Sequence, residues 1–389
     1  MSYYIITSSA FEKNPSFSLI QDLPKNKNLS ILNEQAFIRG SYQLNSDDKF
    51  FLPSDTSYPI IHTHLDTQRA SFIATLRDKH AFRQYLSPIF PSFYFETIEL
   101  AQLAEHSFNF NRCSHYMIKP VSGFMGVGAR IVHANTNLMQ LKTDIASELK
   151  KFSVLYPNIF SNTLLIEHYI GGTTEYAVDM FYDQQGIPII TNLYCHKVPK
   201  RKEYLQMLYY THRSLFDLLY QPVCDFFRQL NQTSAIRSFP IHAEFKLDPN
   251  TQQLIPIEFN AGRFGGMGLA ILTRYAFGFN PIQRYFSDTV IPWSTLWRKN
   301  PNDYFCWLLA YNAADRDPKT HRPSHDRFKQ LLPKNAKILA YEALDYLQQP
   351  GFALVYLQIK EKSEIEQLLM LEFNDFFVPI TSRSPIPTP

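Results

Sequence analysis

Cysteine, charged residues and long apolar segments are all scarce in this chain of 389 residues. Its 4 cysteines lie far apart without C-x-x-C spacing, so we expect reduced thiols and neither a zinc site nor a disulfide framework. No run of about 18 apolar residues occurs, and no basic leader precedes an apolar stretch, which argues against a membrane span and a signal peptide. We therefore expect a cytoplasmic protein that acts without a membrane.

Charged residues make up 19% of the chain, and the 38 basic and 35 acidic residues are spread along it. Because no basic stripe stands out, the composition gives no support to nucleic-acid binding. Hydrophobic residues make up 45%, and a chain of this length predicts about two to three globular domains.

Glycine is scarce as well, and its distribution is uneven. The chain contains only 13 glycines, about half the usual share. Nine of them fall in three clusters, at residues 123–128, 171–172 and 262–268. Because glycine tolerates conformations and close approaches that other residues do not, we expect special backbone geometry or ligand contact in these three loops.

Secondary-structure patterns divide the chain into four parts. They are an N-terminal lobe at 1–95, a central domain at 96–290, a C-terminal extension at 291–380 and a proline-rich, disordered tail at 381–389. In the central domain, seven strand-like runs are joined by hairpin turns and by helices predicted at 137–152 and 203–231. This pattern is typical of an α+β fold with a largely antiparallel sheet.

Further elements are predicted on either side of the central strands. Short strands are expected at 3–7 and 58–62, and helices at 67–86, in the stretch DYFCWLLAYNAA and after EKSEIEQLL. The helix at 67–86 has apolar residues at helical spacing, and Pro88 and Pro91 mark its end.

The stretch FPIHAEFKLDPNTQQLIPIEF predicts a β-hairpin with one apolar and one polar face. With its turn at DPNT, Glu244 lies opposite Glu258 and His242 opposite Asn260 on the polar face, while Ile257 belongs to the apolar face. Two carboxylates directly across a strand pair lie about 5 Å apart and repel each other. A hard divalent cation such as Mg²⁺ prefers oxygen ligands of this kind, with phosphate and water as its other partners.

The loop after this hairpin holds Arg263 among a cluster of glycines. An arginine can bind phosphate oxygens through two hydrogen bonds, and glycines let the backbone approach a ligand. The alternative for the hairpin is an exposed strand face on which Lys246 or Arg263 offsets the acidic charge.

Lys119 ends a predicted strand and is followed by a loop with Gly123, Gly126 and Gly128. Backbone N–H groups of such a loop can cover a polyphosphate, to which Lys119 adds a point charge. A strand follows this loop instead of a helix, so it matches neither the Gly-Lys-Ser/Thr phosphate loop nor a dinucleotide fingerprint. The alternative is an ordinary flexible hairpin turn.

A buried strand ends at Glu167 and leads through Ile170 to a glycine pair. An adenine ring needs an apolar slot and one or two backbone hydrogen bonds, which such a strand end provides. Glu175 starts the next strand, where it could accept a hydrogen bond from a ribose hydroxyl. Equally, Glu167 and Glu175 could be surface carboxylates that flank a turn.

Together these motifs resemble the ATP-grasp superfamily, and most closely its carbamoyl phosphate synthetase large-subunit and biotin carboxylase branch. The resemblance spans roughly residues 67–290. It rests on five stretches in the family's order, LRDKHAFRQYL, MIKPVSGFMGVGARIV, LLIEHYIGGTTEYAVD, IHAEFKLD and PIEFNAGRFGG. It implies a fold in which two α/β subdomains clasp ATP, here with a short N-terminal α/β lobe and a C-terminal extension.

The resemblance also implies roles for single residues. These are phosphate binding by Lys79, Lys119, Gly123, Gly126 and Gly128, contacts to adenine by Glu167 and Ile170 and to ribose by Glu175, coordination of Mg²⁺ or Mn²⁺ by Glu244, Glu258 and Asn260, and stabilisation of the transferred phosphoryl group by Arg263 and Lys119. Two features depart from the family pattern. The stretch E-F-N-A-G-R is one residue longer than the usual E-x-N-x-R, and only about 75 residues precede the Asp-Lys dipeptide.

The activity implied is ATP-dependent ligation of a small-molecule carboxylate to an amine or thiol through an acyl phosphate. The two departures leave alternatives open, namely a nucleotide-binding sensor or scaffold without turnover, and a phosphotransferase. The basic run CHKVPKRK, which contains His196, Lys197, Arg201 and Lys202, is either an anionic-substrate contact or a solvated face. The sequence predicts neither the identity of the substrates nor an oligomeric state.

Overall fold

The structure, a computed structural model, describes residues 1–8, 15–40, 42–54, 57–123, 126–155, 160–197, 207–299 and 302–380. The tail predicted to be disordered, and Arg201 and Lys202 of the basic run, lie outside the described residues. Within the described ranges, no helix combines the length and apolar character needed to cross a membrane.

The N-terminal lobe is built on a three-stranded parallel sheet with the order β2-β1-β3. The elements up to residue 86 are β1 (Tyr3–Thr7), α1 (Phe17–Gln21), β2 (Leu29–Asn33), α2 (Glu34–Arg39), β3 (Lys49–Phe51), α3 (Tyr58–Ile61), α4 (Thr67–Arg77) and α5 (Lys79–Leu86). The strand predicted at 3–7 is confirmed. The strand predicted at 58–62 is wrong, because Pro59 cannot donate a sheet hydrogen bond and favours the first turn of a helix.

The single helix predicted at 67–86 is two helices. Asp78 leaves the helical conformation, with φ −87° and ψ 113°, and its carboxylate accepts hydrogen bonds of 2.8 Å from the backbone N–H groups of His80 and Ala81. This side-chain cap starts a new helix at Lys79. The backbone N–H of Lys79 then donates to the carbonyl of Val121 (2.9 Å), which joins the helix to the loop after Lys119.

A four-stranded antiparallel sheet with the order β4-β7-β5-β6 follows, and we call it the small sheet. Its elements are β4 (Phe95–Glu99), β5 (Tyr116–Pro120), β6 (Arg130–Val132) and β7 (Thr163–His168), with α6 (Leu138–Leu155) between the last two. The strands predicted here and the helix predicted at 137–152 are confirmed. Leu103, Ile145 and Ile166 are fully buried in the core of this unit.

The largest of the described sheets has eight antiparallel strands in the order β12-β11-β8-β9-β10-β13-β16-β15, and we call it the large sheet. The remaining elements are β8 (Thr174–Tyr182), β9 (Pro188–Lys197), β10 (Leu208–Thr211), α7 (Arg213–Ser234), β11 (Phe239–Leu247), β12 (Leu254–Ala261), α8 (Ile271–Phe277), α9 (Pro281–Ser287), α10 (Trp293–Leu296), β13 (Tyr304–Tyr311), β14 (His321–Pro323), α11 (His325–Leu331), β15 (Lys337–Ala343), β16 (Gly351–Ile359), α12 (Lys362–Leu368) and β17 (Phe377–Pro379). The antiparallel arrangement is confirmed. The helix predicted after EKSEIEQLL lies within that stretch instead, at Lys362–Leu368, because Glu361 and Glu364 form a capping box that starts the helix there. Three strands of the C-terminal region, β13, β15 and β16, belong to this same sheet.

Two sequence predictions in this region are wrong. DYFCWLLAYNAA forms strand β13 instead of a helix, and six consecutive residues from Phe305 to Ala310 are buried. A strand that is covered on both faces has no polar alternation, so its sequence looks like that of a buried helix. The helix predicted at 203–231 begins only at Arg213, because Leu208–Thr211 pairs as β10 between β9 and β13.

Candidate active site

A cavity of about 560 Å³ is lined by residues from both the small and the large sheet. It brings together nearly all the residues predicted from the sequence. They are Lys79, Lys119, Gly123, Gly126, Glu167, Ile170, Glu175, Glu244, Glu258, Asn260 and Arg263. Gly128 does not line the cavity; its φ is 74°, and an added Cβ would lie 3.0 Å from the ring of Pro120, so packing explains this glycine.

One row of paired residues crosses the cavity-facing side of the large sheet. Lys246 pairs with Glu175, Glu175 with His196, His196 with Tyr209 and Tyr209 with Trp307, on five neighbouring strands. Paired residues in a sheet point to the same face, and all five line the cavity. The row crosses four strand spacings, about 19 Å in total. His196 is therefore the one described member of the basic run that lines the cavity.

The carboxylates Glu244 and Glu258 are directly paired across β11 and β12, as the hairpin pattern predicts. His242 is likewise paired with Asn260. The register between β11 and β12 shifts after Glu244, so that Ile257 is not paired with any residue of β11. Ile257 lines the cavity. The assignment of Ile257 to the apolar face is therefore wrong, because strict alternation does not hold through a bulge.

A buried charge network that sequence reasoning missed lies beside Glu244 of the carboxylate pair. Asp179, fully buried on β8, lies 2.7 Å from Nδ1 of His242 and accepts hydrogen bonds of 2.8 Å from the Tyr194 hydroxyl and the Gly265 backbone N–H. Nε2 of His242 lies 3.6 Å from Oε1 of Glu244. Burial lowers the pKa of His242, but the hydrogen bonds and charges of Asp179 and Glu244 outweigh it and raise that pKa to about 9. His242 thus supplies positive charge beside Glu244, where Lys246 or Arg263 had been considered.

Lys119 is fixed by a second buried network. Glu167 accepts from the Lys119 ammonium at 2.8 Å through Oε1 and from Nε of Arg83 at 2.6 Å through Oε2. Arg83 also donates to the carbonyl of Pro256 at 2.7 Å, so it joins α5 and β7 to β12. Burial raises the pKa of Glu167, but the charges of Arg83 and Lys119 dominate and lower it to about 2. Both oxygens of Glu167 therefore bind cations of the protein itself, and Arg83 is a site residue that sequence reasoning missed.

Lys79 reaches the glycine loop between β5 and β6. Its ammonium donates to the carbonyl of Gly123 at 2.8 Å. Burial lowers the pKa of Lys79, while the negative charge of Glu258 acts in the opposite direction. The two lysines, 79 and 119, thus line the same cavity as the acidic hairpin.

One end of the cavity lies where β7 leads through Ile170 to the glycine pair at 171–172, and we call it the hinge end. It is formed by Met117, Ile170 and Glu175. The Lys246 ammonium lies 3.4 Å from the carbonyls of both Ile170 and Gly172, and 3.5 Å from Oε1 of Glu175. Burial raises the pKa of Glu175, but the neighbouring His196 and Lys246 outweigh burial, so that the net effect is a lowered pKa. This end combines an apolar slot with an ionised carboxylate beside it.

The glycines at 262–268 make room for the protein's own side chains. Gly268 has φ 80°, and a Cβ there would lie 2.5 Å from the hydroxyl of Tyr356. Gly262 has φ 77°, and its Cβ would lie 3.1 Å from Phe50 of the N-terminal lobe. We expected the glycines of this cluster to let the backbone approach a ligand. At Gly262 and Gly268, packing against the protein's own side chains explains the glycine instead. Arg263 donates to the carbonyl of Phe264 at 3.1 Å.

The residues present suit a hard divalent cation held partly by substrate. Among the described residues, no group of three or more His, Cys, Asp or Glu side chains is placed to hold a metal ion. The donor set is instead two paired carboxylates with the amide of Asn260 beside them, all lining the cavity. Mg²⁺ commonly binds through one or two carboxylates and takes phosphate oxygens and water as its other ligands.

Comparison with known proteins agrees with this geometry. Residues 114–271 match the family model described as "ATP-grasp domain". Among solved structures, an L-amino acid ligase from Bacillus licheniformis is 16% identical, with 98% of this chain and 99% of that chain covered at a TM-score of 0.60. Biotin carboxylase from Campylobacter jejuni is 13% identical over 97% of this chain and 86% of its own, with a TM-score of 0.58.

A further solved structure, N5-carboxyaminoimidazole ribonucleotide synthetase from Thermotoga maritima, is 8% identical and covers 98% of this chain and 100% of its own at a TM-score of 0.57. No curated protein sequence matches the chain. At these identities the structural matches show the fold, and they extend it over nearly the whole length of the chain. The resemblance found in the motifs is confirmed: the chain contains an ATP-grasp domain and has the fold of the ATP-grasp superfamily.

Proposed function

We propose that the protein is an ATP-dependent, ADP-forming ligase that joins a small-molecule carboxylate to an amine or thiol through an acyl phosphate. The observation that supports this most is the cavity between the two sheets. Two lysines, Lys79 and Lys119, line it on one side, and the paired carboxylates Glu244 and Glu258 line it on the other. Phosphoryl transfer needs this combination of positioning and charge neutralisation and no protein nucleophile.

The nucleotide would lie along the cavity with its base at Ile170 and its ribose at Glu175. Lys79 and Lys119 would bind phosphate oxygens, and Glu167 would keep Lys119 in place through its buried ion pair. Glu244, Glu258 and Asn260 would hold Mg²⁺, or Mn²⁺, which would neutralise phosphate charge when it is bound.

The chemistry takes two steps. A carboxylate oxygen of the substrate bonds to the γ-phosphorus while the bond to the β–γ bridging oxygen breaks, which releases ADP and leaves an acyl phosphate. An amine or thiol then bonds to the acyl carbon, inorganic phosphate leaves, and the attacking group loses its proton. Arg263, which lines the cavity, would neutralise charge on the transferred phosphoryl group.

Two other functions of the same cavity make different predictions. A sensor or scaffold would bind ATP without turnover, and the extra residue before Arg263 and the short N-terminal lobe are the features that favour it. A phosphotransferase would form ADP without releasing inorganic phosphate.

Purified protein with Mg-ATP and a panel of carboxylates and amine or thiol acceptors separates the three functions. ADP and phosphate released in equal amounts, together with a condensed product seen by mass spectrometry, support the ligase. Nucleotide binding without ADP on a broad panel contradicts it and points to the sensor. ADP with a stable phosphorylated product points to the phosphotransferase.

A further inference from the structure

The cavity continues past the predicted nucleotide site into a region that ATP binding does not explain. This region, which we call the aromatic end, is formed by His196, Tyr209, Met267, Trp307 and Tyr311. Its members come from β9, β10, β13 and the loop at 262–268. Tyr209 and Trp307 lie three and four strand spacings from Lys246, about 14 and 19 Å along the row.

The walls of the aromatic end are held rigidly. Trp307 donates from its indole nitrogen to the carbonyl of Met267 at 3.0 Å. Its ring meets that of Tyr209 edge to face, with the centroids 5.7 Å apart, and Tyr209 stacks on His196 at 4.4 Å. Aromatic rings fixed in this way make a preformed apolar surface, against which a flat or bulky apolar group packs without prior rearrangement.

The charges around the aromatic end disfavour a second anionic group on the ligand. Burial raises the pKa of Tyr209 well above its ordinary value, and the negative charge of Glu175 acts in the same direction. The charge of Glu244 is not counted here, because Glu244 would hold the metal ion. Among the described lining residues, the cation in the adjoining loop is Arg263, which the proposed reaction uses. A carboxylate or phosphate on the side chain of the substrate would have to lose water against aromatic rings, which is costly.

His196 adds a polar feature to this apolar wall. It is only 3% exposed, and neither ring nitrogen has a hydrogen-bond partner among the described residues, which exclude 198–206; Nδ1 approaches Oε2 of Glu175 only to 3.5 Å. A buried polar atom without a partner is costly, so a hydrogen-bonding group of a bound ligand would relieve that cost. The ligand that fits is mainly apolar with a polar group close to its reactive end.

We propose that the aromatic end holds the side chain of the carboxylate substrate, and that this substrate is a monocarboxylic acid with an aromatic or large aliphatic side chain. The inference rests on the proposed function, because it assigns the carboxylate that is activated. The carboxylate of the substrate would lie towards Arg263 and its side chain against Tyr209, Trp307 and Tyr311.

Binding is measured by calorimetry with Mg²⁺ and a non-hydrolysable ATP analogue, so that turnover is not needed. The ligands are phenylalanine, 3-phenylpropionate, methionine and leucine, with aspartate, glutamate and O-phosphoserine as acidic counterparts. Affinity at least about tenfold higher for the aromatic and aliphatic acids is expected. Equal or tighter binding of the acidic ligands would overturn the substrate class.

Variants locate the binding to the aromatic end. Tyr311→Ala is expected to weaken binding of the aromatic acid about tenfold without changing the affinity for the ATP analogue. Trp307→Phe is a second, more conservative variant for the case that an alanine variant does not fold, because it keeps an aromatic ring in the wall. The matched control is Tyr304→Ala, on the same strand, whose ring stacks on His212 at 4.0 Å and does not line the cavity. Equal losses in Tyr304→Ala and Tyr311→Ala would contradict the assignment.

The assay also separates this inference from the proposed function. If an aromatic acid binds as expected but no ADP forms with any acceptor, the ligase proposal fails and the site assignment holds. If ADP forms only with acidic substrates, the ligase proposal holds and the substrate class fails.

Discussion

Replacement of Glu167 by Gln tests the network that fixes Lys119. The carboxylate is 3% exposed and contacts both the Lys119 ammonium and the Arg83 guanidinium. Its pKa falls from 4.5 to about 2 in the folded protein. A shift of this size corresponds to about 3 kcal/mol of stability at neutral pH. Removal of one partner of a buried ion pair costs about 3–5 kcal/mol. The pKa shift and this general cost therefore both predict that Glu167→Gln lowers the free energy of unfolding by about 3 kcal/mol.

The pH dependence of this loss has a definite sign. Because the folded pKa is depressed, the stabilisation by Glu167 is complete above the unfolded pKa of about 4.5 and declines as the pH falls towards about 2. At pH 3.5 about 1.4 kcal/mol of it is already lost, since the unfolded carboxylate binds its proton first. Gln does not titrate, so the difference between the wild-type protein and the variant must shrink on acidification.

Urea-induced unfolding, followed by tryptophan fluorescence at pH 7 and at pH 3.5, measures both quantities. Glu366→Gln on the exposed side of α12 is the control, and we expect it to change stability by less than about 0.5 kcal/mol. The reasoning is refuted if Glu167→Gln unfolds like the control at pH 7. It is also refuted if the difference between the variant and the wild-type protein grows as the pH falls.

Three other predictions concern the metal, the transferred phosphoryl group and the glycines at 268 and 172. Glu258→Gln should weaken Mg²⁺-dependent ATP binding at least about tenfold by calorimetry, and unchanged binding would contradict the metal assignment. Arg263→Lys should lower kcat about a hundredfold and leave ATP affinity unchanged, whereas a change in ATP affinity alone would assign Arg263 to nucleotide binding. Gly268→Ala should lower the free energy of unfolding by at least about 2 kcal/mol, because its Cβ would meet Tyr356. Gly172→Ala, also at positive φ but in open space, should lower it by about 1 kcal/mol. Equal losses of stability in thermal denaturation would refute the steric reason.

The parts of the site that could be predicted are those fixed by neighbours in sequence. The pairing of Glu244 with Glu258 follows from a turn at residues 248–251 and from alternation along two strands that adjoin in the chain. Alternation placed Ile257 on the wrong face, because the sequence pattern does not indicate the bulge after Glu244. It failed for β13 as well, since a fully buried strand lacks the alternation that distinguishes it from a helix.

The residues that were missed share a different property. Asp179 meets His242 because β8 lies beside β11, and Arg83 meets Glu167 because α5 packs near β7, 84 residues away in sequence. Alternation within each strand indicates which face a side chain occupies, but the order of strands in the sheet decides which side chains become neighbours. Strand order in an antiparallel sheet of eight strands is a property of the whole fold, and local pattern does not determine it.

The row from Lys246 to Trp307 shows the consequence of strand order for function. Its two charged members, Lys246 and Glu175, lie at the hinge end, and its aromatic members lie on β10 and β13, the strands that sequence reasoning took for parts of helices. Sequence motifs therefore predict the nucleotide half of the cavity, but they do not predict the aromatic end. If the proposed function holds, the chemistry of ATP is shared with the superfamily and the aromatic end is where this chain would distinguish its substrate. The aromatic end is therefore the part of the molecule to test first.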